Sequence, residues 1–575
     1  MKIINCVLFA FFAVLLVTCG ACNKATEPEV DDQTAGTTDT SAANQAIHED
    51  PNDYVWTDAE VIPIILNGNT ITENTDGATV NGSTLTISMS GTYSLSGTLT
   101  NGQIVVNTTD KAVVRLLLNG VNITNSQSAP VYIRNSAKTV IYLPENTANV
   151  LTDAKTYVLE NAAVNEPNAA LYSKSDLTIF GGGSLNVTGN YKDGIASVDG
   201  LIIKSGNINV TAADDAIRGK DYLVAKDGSI TVNCGGDGLR SDNADDASRG
   251  YISIEKGTFD ITAKSDGISA ETDAIIYGGT FKLITGGGSG KSVSSGASAK
   301  AVKGLVSTSV SGGTFNISSA DDAIHSNKYV SIKNGNFTIA TAGNGIHADA
   351  AVKIGNGNIN ITKSKEGIES GQITVDNGYI NIVSSDDGFN ATYGEGGEKN
   401  DNSYLHINGG SIYVNTSRGD GLDSNGNIVM SGGTAVIHGP SSSPEVGVDF
   451  NGTFNISGGL LMVTGPNSGN MIQATSTSST QNAVKAVASS QLNASTLFHI
   501  QDDSGNTLVT FQPVRTVYYV VFSSSALKDG STYHIYTGGS STGTNTGGLY
   551  AGGTYSGGTL KKSFTVSSIL TTVTF

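Results

Sequence analysis

A short phrase, Gly-x-hydrophobic-x-hydrophobic, recurs through the middle of this chain at steps of mostly 21 to 23 residues. It reads GSLNV from Gly183, GNINV from Gly206, GSITV from Gly228, GTFDI from Gly257, GTFKL from Gly279 and GTFNI from Gly313. It continues as GNFTI from Gly335, GNINI from Gly357, GYINI from Gly378, GSIYV from Gly410, GTAVI from Gly433 and GLLMV from Gly459. A fixed period of this size marks a solenoid, in which each coil buries its apolar face on its neighbours. Ile, Val, Phe and Leu take the inward places, while Asn, Thr, Ser and Asp alternate with them and suit a solvated face. The predicted fold is all-β, a parallel β-helix with coils of about 22 residues. At roughly 4.8 Å per strand, the twelve phrases make a rod of about 55 Å.

A second phrase, Asp-Gly/Ala-apolar, precedes most of the first by about 13 residues, at Asp193, Asp215, Asp237, Asp266, Asp322, Asp387 and Asp420. Aligned on it, one column reads Asp193, Asp215, Asp237, Asp266, Lys300, Asp322, Asn344, Glu366, Asp387, Asp420. Asp214, Asp321 and Asp386 stand one place earlier. Three places later come Arg218, Arg240, Lys303, His325, His347, Glu369, Asn390, Asp423 and Asp449; Lys220, Asp242, Glu271 and Asp349 stand five places later. The small residue after the acid is expected to form a corner with the Asp pointing out and the next apolar residue in. Carboxylates stacked about 5 Å apart repel by several tenths to ~3 kcal/mol per pair. Raised pKa values, local cations or bound metal must compensate. Asp-Gly is also ordinary turn chemistry, and an outward Asp at a corner can simply cap backbone amides. Arg218 and Arg240 offset the first acids, and Lys300 with Lys303 interrupts the middle.

Hard oxygen ligands at this density suit Ca²⁺. The candidate ligands are Asp214, Asp215, Asp237, Asp242, Asp266, Glu271, Asp321, Asp322, Glu366, Glu369, Asp386, Asp387, Asp420 and Asp423. Zn²⁺ is disfavoured, because the nearby nitrogen ligands come down to His325 and His347. Those two, with Arg218 and Arg240, are read instead as contacts for a bound ligand. The run Ser241-Asp242-Asn243-Ala244-Asp245-Asp246 has a calcium-loop composition but lacks EF-hand spacing.

The chain carries a formal net charge of -18, which excludes nucleic acid as a partner. An acidic polymer would need a bridging cation. Lys2 and the apolar run from Val7 to Val17 read as an export signal over residues 1–22. It ends in a lipobox-like Thr18-Cys19-Gly20-Ala21-Cys22, with Cys22 (alternatively Cys19) as the lipidated residue of an outer-membrane or cell-surface anchor; a plain secretory peptide is the other reading. Residues 23–53 are polar and acidic and read as a disordered tether. Residues 54–165 are looser β coils with a cap, 166–465 the regular coils, and 466–575 a C-terminal β cap or small β unit. Cys234 lies alone past the export segment, so the body is expected to lack an internal disulfide. Insertions follow the Asp237 and Asp387 corners at the same place in the coil, and a third, 286–299, leaves from another corner.

The phrases GTYSLSGTLTNGQIVV from Gly91, LLLNGVNIT from Leu116, the DDAI and DGI corners and SSALKDGSTYHIYTGG from Ser524 resemble a family of secreted bacterial carbohydrate-binding proteins. The resemblance spans roughly residues 58 to 540. It implies a right-handed parallel β-helix similar to pectate lyases, Ca²⁺ as cofactor, and binding of acidic, polygalacturonate-type polysaccharide with some binding of cellulose and no lyase activity. Two other readings stand beside it: a polysaccharide lyase using Arg218, Lys220 or Arg240 as base, and a structural adhesin with calcium as mortar.

Overall fold

The computed structural model describes residues 48–161, 163–394 and 399–575. The export segment, Cys19, Cys22 and tether residues 23–47 lie outside them. The described chain is all-β, with short 3-10 turns between strands. Most periods contribute three strands, one to each of three ladders, and each strand pairs in parallel with its counterpart one coil on; in Ile346–Ile354 and Ile368–Val375 the second and third strands run together. The recurring phrase forms the first ladder, in register from Ser184–Gly189 through Asn207–Ala212 and Ser229–Cys234 onward, with a bulge in Asn358–Ser364. The residues after the acid form the second, and the third includes Tyr222–Ala225 and Tyr251–Ile254.

Registration places like on like in the interior. Phe259, Phe281, Phe315 and Phe337 stack with centroids 4.9, 4.5 and 4.6 Å apart and nearly parallel planes. Ile230 and Ile359 continue this row. The phrase must turn sharply before each strand. Gly228 does so at φ 112°, where a Cβ would also lie 2.7 Å from the carbonyl oxygen of Gly206.

Val517–Ser524 pairs antiparallel with the last phrase strand, Leu460–Gly465, so that strand's edge is covered rather than left to template aggregation. A separate six-stranded antiparallel sheet, from Phe498–Asp502 to Tyr555–Thr565, follows. Residues 48–53 of the expected tether are docked across the coils. His48 stacks on Tyr222 at 3.7 Å, and Glu49 pairs with Lys204 (3.0 Å) and Lys226. Asp53 pairs with Lys138 at 2.6 Å, and Trp56 packs edge-on against Tyr142. These anchors come from several coils, so the strap ties successive turns together. Cys234 is buried and unbridged.

Candidate functional site

The acids do not point out as expected: Asp193, Asp215, Asp237, Asp266, Asp322, Glu366 and Asp420 are all buried, Asp266 to 2% exposure. The reason is a backbone amide that the ladder leaves without a carbonyl. The Asp237 N–H donates to Asp215 Oδ1 at 2.8 Å, Asp266 N–H to Asp237 Oδ1 at 2.9 Å, and Lys300 N–H to Asp266 Oδ1 at 2.8 Å. The same bond recurs from Asn344 N–H to Asp322 Oδ1 at 2.8 Å and from Asp420 N–H to Asp387 Oδ1 at 2.6 Å. Each carboxylate thus stands in for the acceptor that the next coil's corner lacks, and a buried N–H without a partner costs about 1–3 kcal/mol. The small neighbour is needed for close approach: a Cβ on Gly388 would lie 2.4 Å from the Gly421 oxygen. We expect Asp237→Ala to destabilise by about 2 kcal/mol or more and Asp237→Asn, which keeps Oδ1, by much less; urea titration of both variants checks it.

The second carboxylate oxygen is left for other partners, and these change along the rod. The residues three places after the acid sit in strict register through Arg218, Arg240, Ser269, Lys303, His325, His347, Glu369, Asn390, Asp423 and Asp449. The column therefore runs from cations through histidines to anions.

At the cationic end, Arg240 reaches Asp215 Oδ2 at 2.9 Å, and Arg218 lies 3.6 Å from Asp193 and 3.0 Å from Asp242. Asp242 also meets Arg240 at 3.6 Å. Both arginines are raised above their ordinary pKa, because these carboxylates outweigh their burial. Arg218 is mostly covered, whereas Arg240 keeps 39% of its side chain exposed. Lys220 reaches only the exposed Asp245, at 3.7 Å. Burial and the neighbouring carboxylates lift Asp193 and Asp237 to about 7. In the 241–246 run, Asn243 Oδ1 accepts the amides of Asp245 and Asp246, and Asp246 pairs with Arg249. A loop held together this way has an account that needs no calcium.

In the middle, Lys303 holds Asp266 Oδ2 at 2.9 Å and Lys300 holds Asp321 at 2.5 Å. Asp322 is buried, but His325, His347 and Lys300 override that burial and keep it well below the usual carboxylate range.

The anionic end differs. Glu366 takes Lys365 (3.0 Å) and Asn390 (3.3 Å), Glu369 accepts from Asn344, and Asp386 lies 3.9 Å from Lys365. Asp387 and Asp420 pair with no Lys or Arg among the described residues; burial and neighbouring carboxylates lift them to about 7 and about 8. Glu369 is likewise raised to about 7, by burial and by Glu366.

Among the described residues, three groups bring one donor atom from each member within 4.8 Å of the others: Asp193/Asp214/Asp215, Asp420/Asp423/Asp449 and Asp322/His325/His347. Of the sequence candidates, Asp237, Asp242, Asp266, Glu271, Asp321, Glu366, Glu369, Asp386 and Asp387 enter none of them. Asp193 and Asp449 do; both stood in the aligned columns but not among the candidate ligands.

A family model described as carbohydrate-binding domain-containing protein matches residues 81–345 and 342–512. A protein of the same description from Acetivibrio thermocellus is 45% identical over 215 residues, which is 37% of this chain and 75% of that protein. A solved structure, the polysaccharide lyase-like protein from C. thermocellum as its gadolinium derivative, is 36% identical, covers 39% of this chain and 92% of that one, and superposes with a TM-score of 0.39. With its matched segments running from residue 81 to residue 512, the chain belongs to the carbohydrate-binding domain-containing protein family.

Proposed function

We propose that this protein is a right-handed parallel β-helix that binds an acidic, polygalacturonate-like polysaccharide through Ca²⁺ without cleaving it. The observation that carries the reading is the anionic end of the column. There burial and neighbouring carboxylates raise Asp387 and Asp420, and Asp420, Asp423 and Asp449 converge. Oxygen donors alone, at this density, suit Ca²⁺, which takes six to eight oxygens in flexible geometry. The three carboxylates leave coordination positions for oxygens of a sugar acid, so the ion can join two anionic partners that would otherwise repel. Asp193, Asp214 and Asp215 form a second, weaker candidate, because Arg218 and Arg240 already offset them. The lyase reading is disfavoured by the pairing of those same arginines. Export and a lipid anchor at Cys22, or Cys19, would hold the rod at the cell surface; the anchor is tested by whether Cys22→Ser releases the protein from membranes.

The test of binding is calorimetric titration of polygalacturonate into the full chain, with Ca²⁺ and with chelator, while absorbance follows unsaturated product. Heat only with Ca²⁺ and no product is expected. Product would overturn the reading in favour of a lyase, and heat unchanged by chelator would remove calcium from it.

A further inference from the structure

The third cluster is of a different chemical kind. We propose that Asp322, His325 and His347 form a binding site for a borderline transition-metal cation of the Zn²⁺ class, separate from the calcium reading and independent of it. Asp322 Oδ2 is 2.9 Å from His325 Nδ1 and 3.6 Å from His347 Nδ1, and one donor from each residue lies within 4.8 Å of the others. Two imidazole nitrogens and one carboxylate oxygen on one side of an ion, with the remaining position open, is a donor set that Zn²⁺ accepts and Ca²⁺ does not favour.

The outer nitrogens supply an independent observation. His325 Nε2 lies 3.0 Å from Asn327 Oδ1, and His347 Nε2 lies 3.4 Å from Asp349 Oδ1. All four ring nitrogens of the pair therefore face oxygen acceptors. The two rings come from adjacent coils with centroids 5.0 Å apart, and both turn their Nδ1 toward Asp322 Oδ2. One divalent ion held between the two Nδ1 atoms and Asp322 Oδ2 leaves the neutral rings with their N–H on Nε2. Each Nε2–H then donates to its oxygen, the arrangement that usually orients metal-bound histidine. Asp322 is already aimed, since its Oδ1 is fixed by the Asn344 N–H at 2.8 Å. The competing cation, Lys300, is 2.5 Å from Asp321 but 3.6 Å from Asp322, so Asp321 keeps it when the ion arrives. His325 and His347 come from adjacent coils, so the ion would clamp one coil to the next.

The experiment titrates Co²⁺ into metal-stripped full chain in excess Ca²⁺, which occupies all-oxygen sites, and reads the visible d–d absorption. About one equivalent should give a spectrum of low coordination number that Zn²⁺ bleaches, and Zn²⁺ should raise the melting temperature. His347→Gln, at a partly exposed position, and His325→Ala should each abolish the spectrum, while Asp349→Asn should weaken Co²⁺ by about tenfold or more. Absence of the spectrum overturns the proposal. So does its persistence in the His325→Ala/His347→Gln double variant, or displacement of Co²⁺ by Ca²⁺ at comparable concentration.

Discussion

Calcium-free protein should lose stability as the pH rises from about 4 to about 8, and Ca²⁺ added at pH 8 should restore it. Asp387 and Asp420 are raised in the folded chain to about 7 and about 8, against an unfolded value of about 3.9. Across that interval the folded chain keeps protons that the unfolded chain has released, so stability falls with rising pH. The difference amounts to at most about 4 kcal/mol for Asp387 and about 6 kcal/mol for Asp420. The two together give less than double, because part of each shift comes from the other or from a shared neighbour. Ca²⁺ would reverse the sign of the problem: held by Asp420, Asp423 and Asp449, it would favour the ionised forms of Asp420 and of Asp387 beside it, release their protons and stabilise only the folded state. Other groups titrate nearby. His347 is raised, so its contribution also fades as pH rises through its folded value, whereas the lowered His48 and His438 act when pH falls. The clean readout is therefore a difference. Asp387→Asn/Asp420→Asn keeps both Oδ1 acceptors, and should flatten the fall between pH 4 and 8 and weaken Ca²⁺ by about tenfold or more. Urea unfolding across pH, with chelator and with Ca²⁺, measures both. A double variant with the wild-type pH profile would show that these carboxyls are not the uncompensated charges.

The coils, their inward residues and the order of the corner columns could all be read from spacing, because a solenoid repeats one local solution and registers it on itself. Arg218 over Arg240 and His325 over His347 follow from counting alone. The direction of the acids could not be counted. It depends on an amide of the next coil, such as that of Asp266, that finds no carbonyl and takes Asp237 Oδ1 instead. Nor does spacing reveal which acids are already neutralised: Asp242 resembles a ligand until two arginines are found closing on it. The docking of residues 48–53 was hidden for a related reason. A polar, acidic composition reads as disorder, while its order comes from aromatic and basic residues scattered between Lys138 and Tyr251. The C-terminal sheet carries strand propensity but no period, so its existence was readable and its pairing was not.

Phe315→Ala should be the most destabilising core truncation in the regular coils, and its damage should stay local. Phe315 has a stacked ring on both sides, at 4.5 and 4.6 Å, and is about 1% exposed. Removing it loses both contacts and leaves a cavity between Phe281 and Phe337, rings held by their own strand ladders and unable to close on it. Truncations of this kind cost about 3–5 kcal/mol, and the rigid surroundings place this one at the upper end. Phe315→Leu, which refills most of the volume, should cost less than half as much. Each coil's strands pair with those of the adjacent coils, so most of the penalty is expected to stay there. Hydrogen exchange should therefore accelerate in the strands Thr280–Thr285, Thr314–Ser319 and Asn336–Thr341. Protection should be retained in Leu422–Ser424 and Val448–Phe450, beside the Asp420 cluster. Uniform acceleration would mean that the described coils unfold as one cooperative unit. Local acceleration would mean that the acidic end is held by its own coils and by the strand Val517–Ser524 that caps them. Calcium affinity would then survive the loss of the phenylalanine stack.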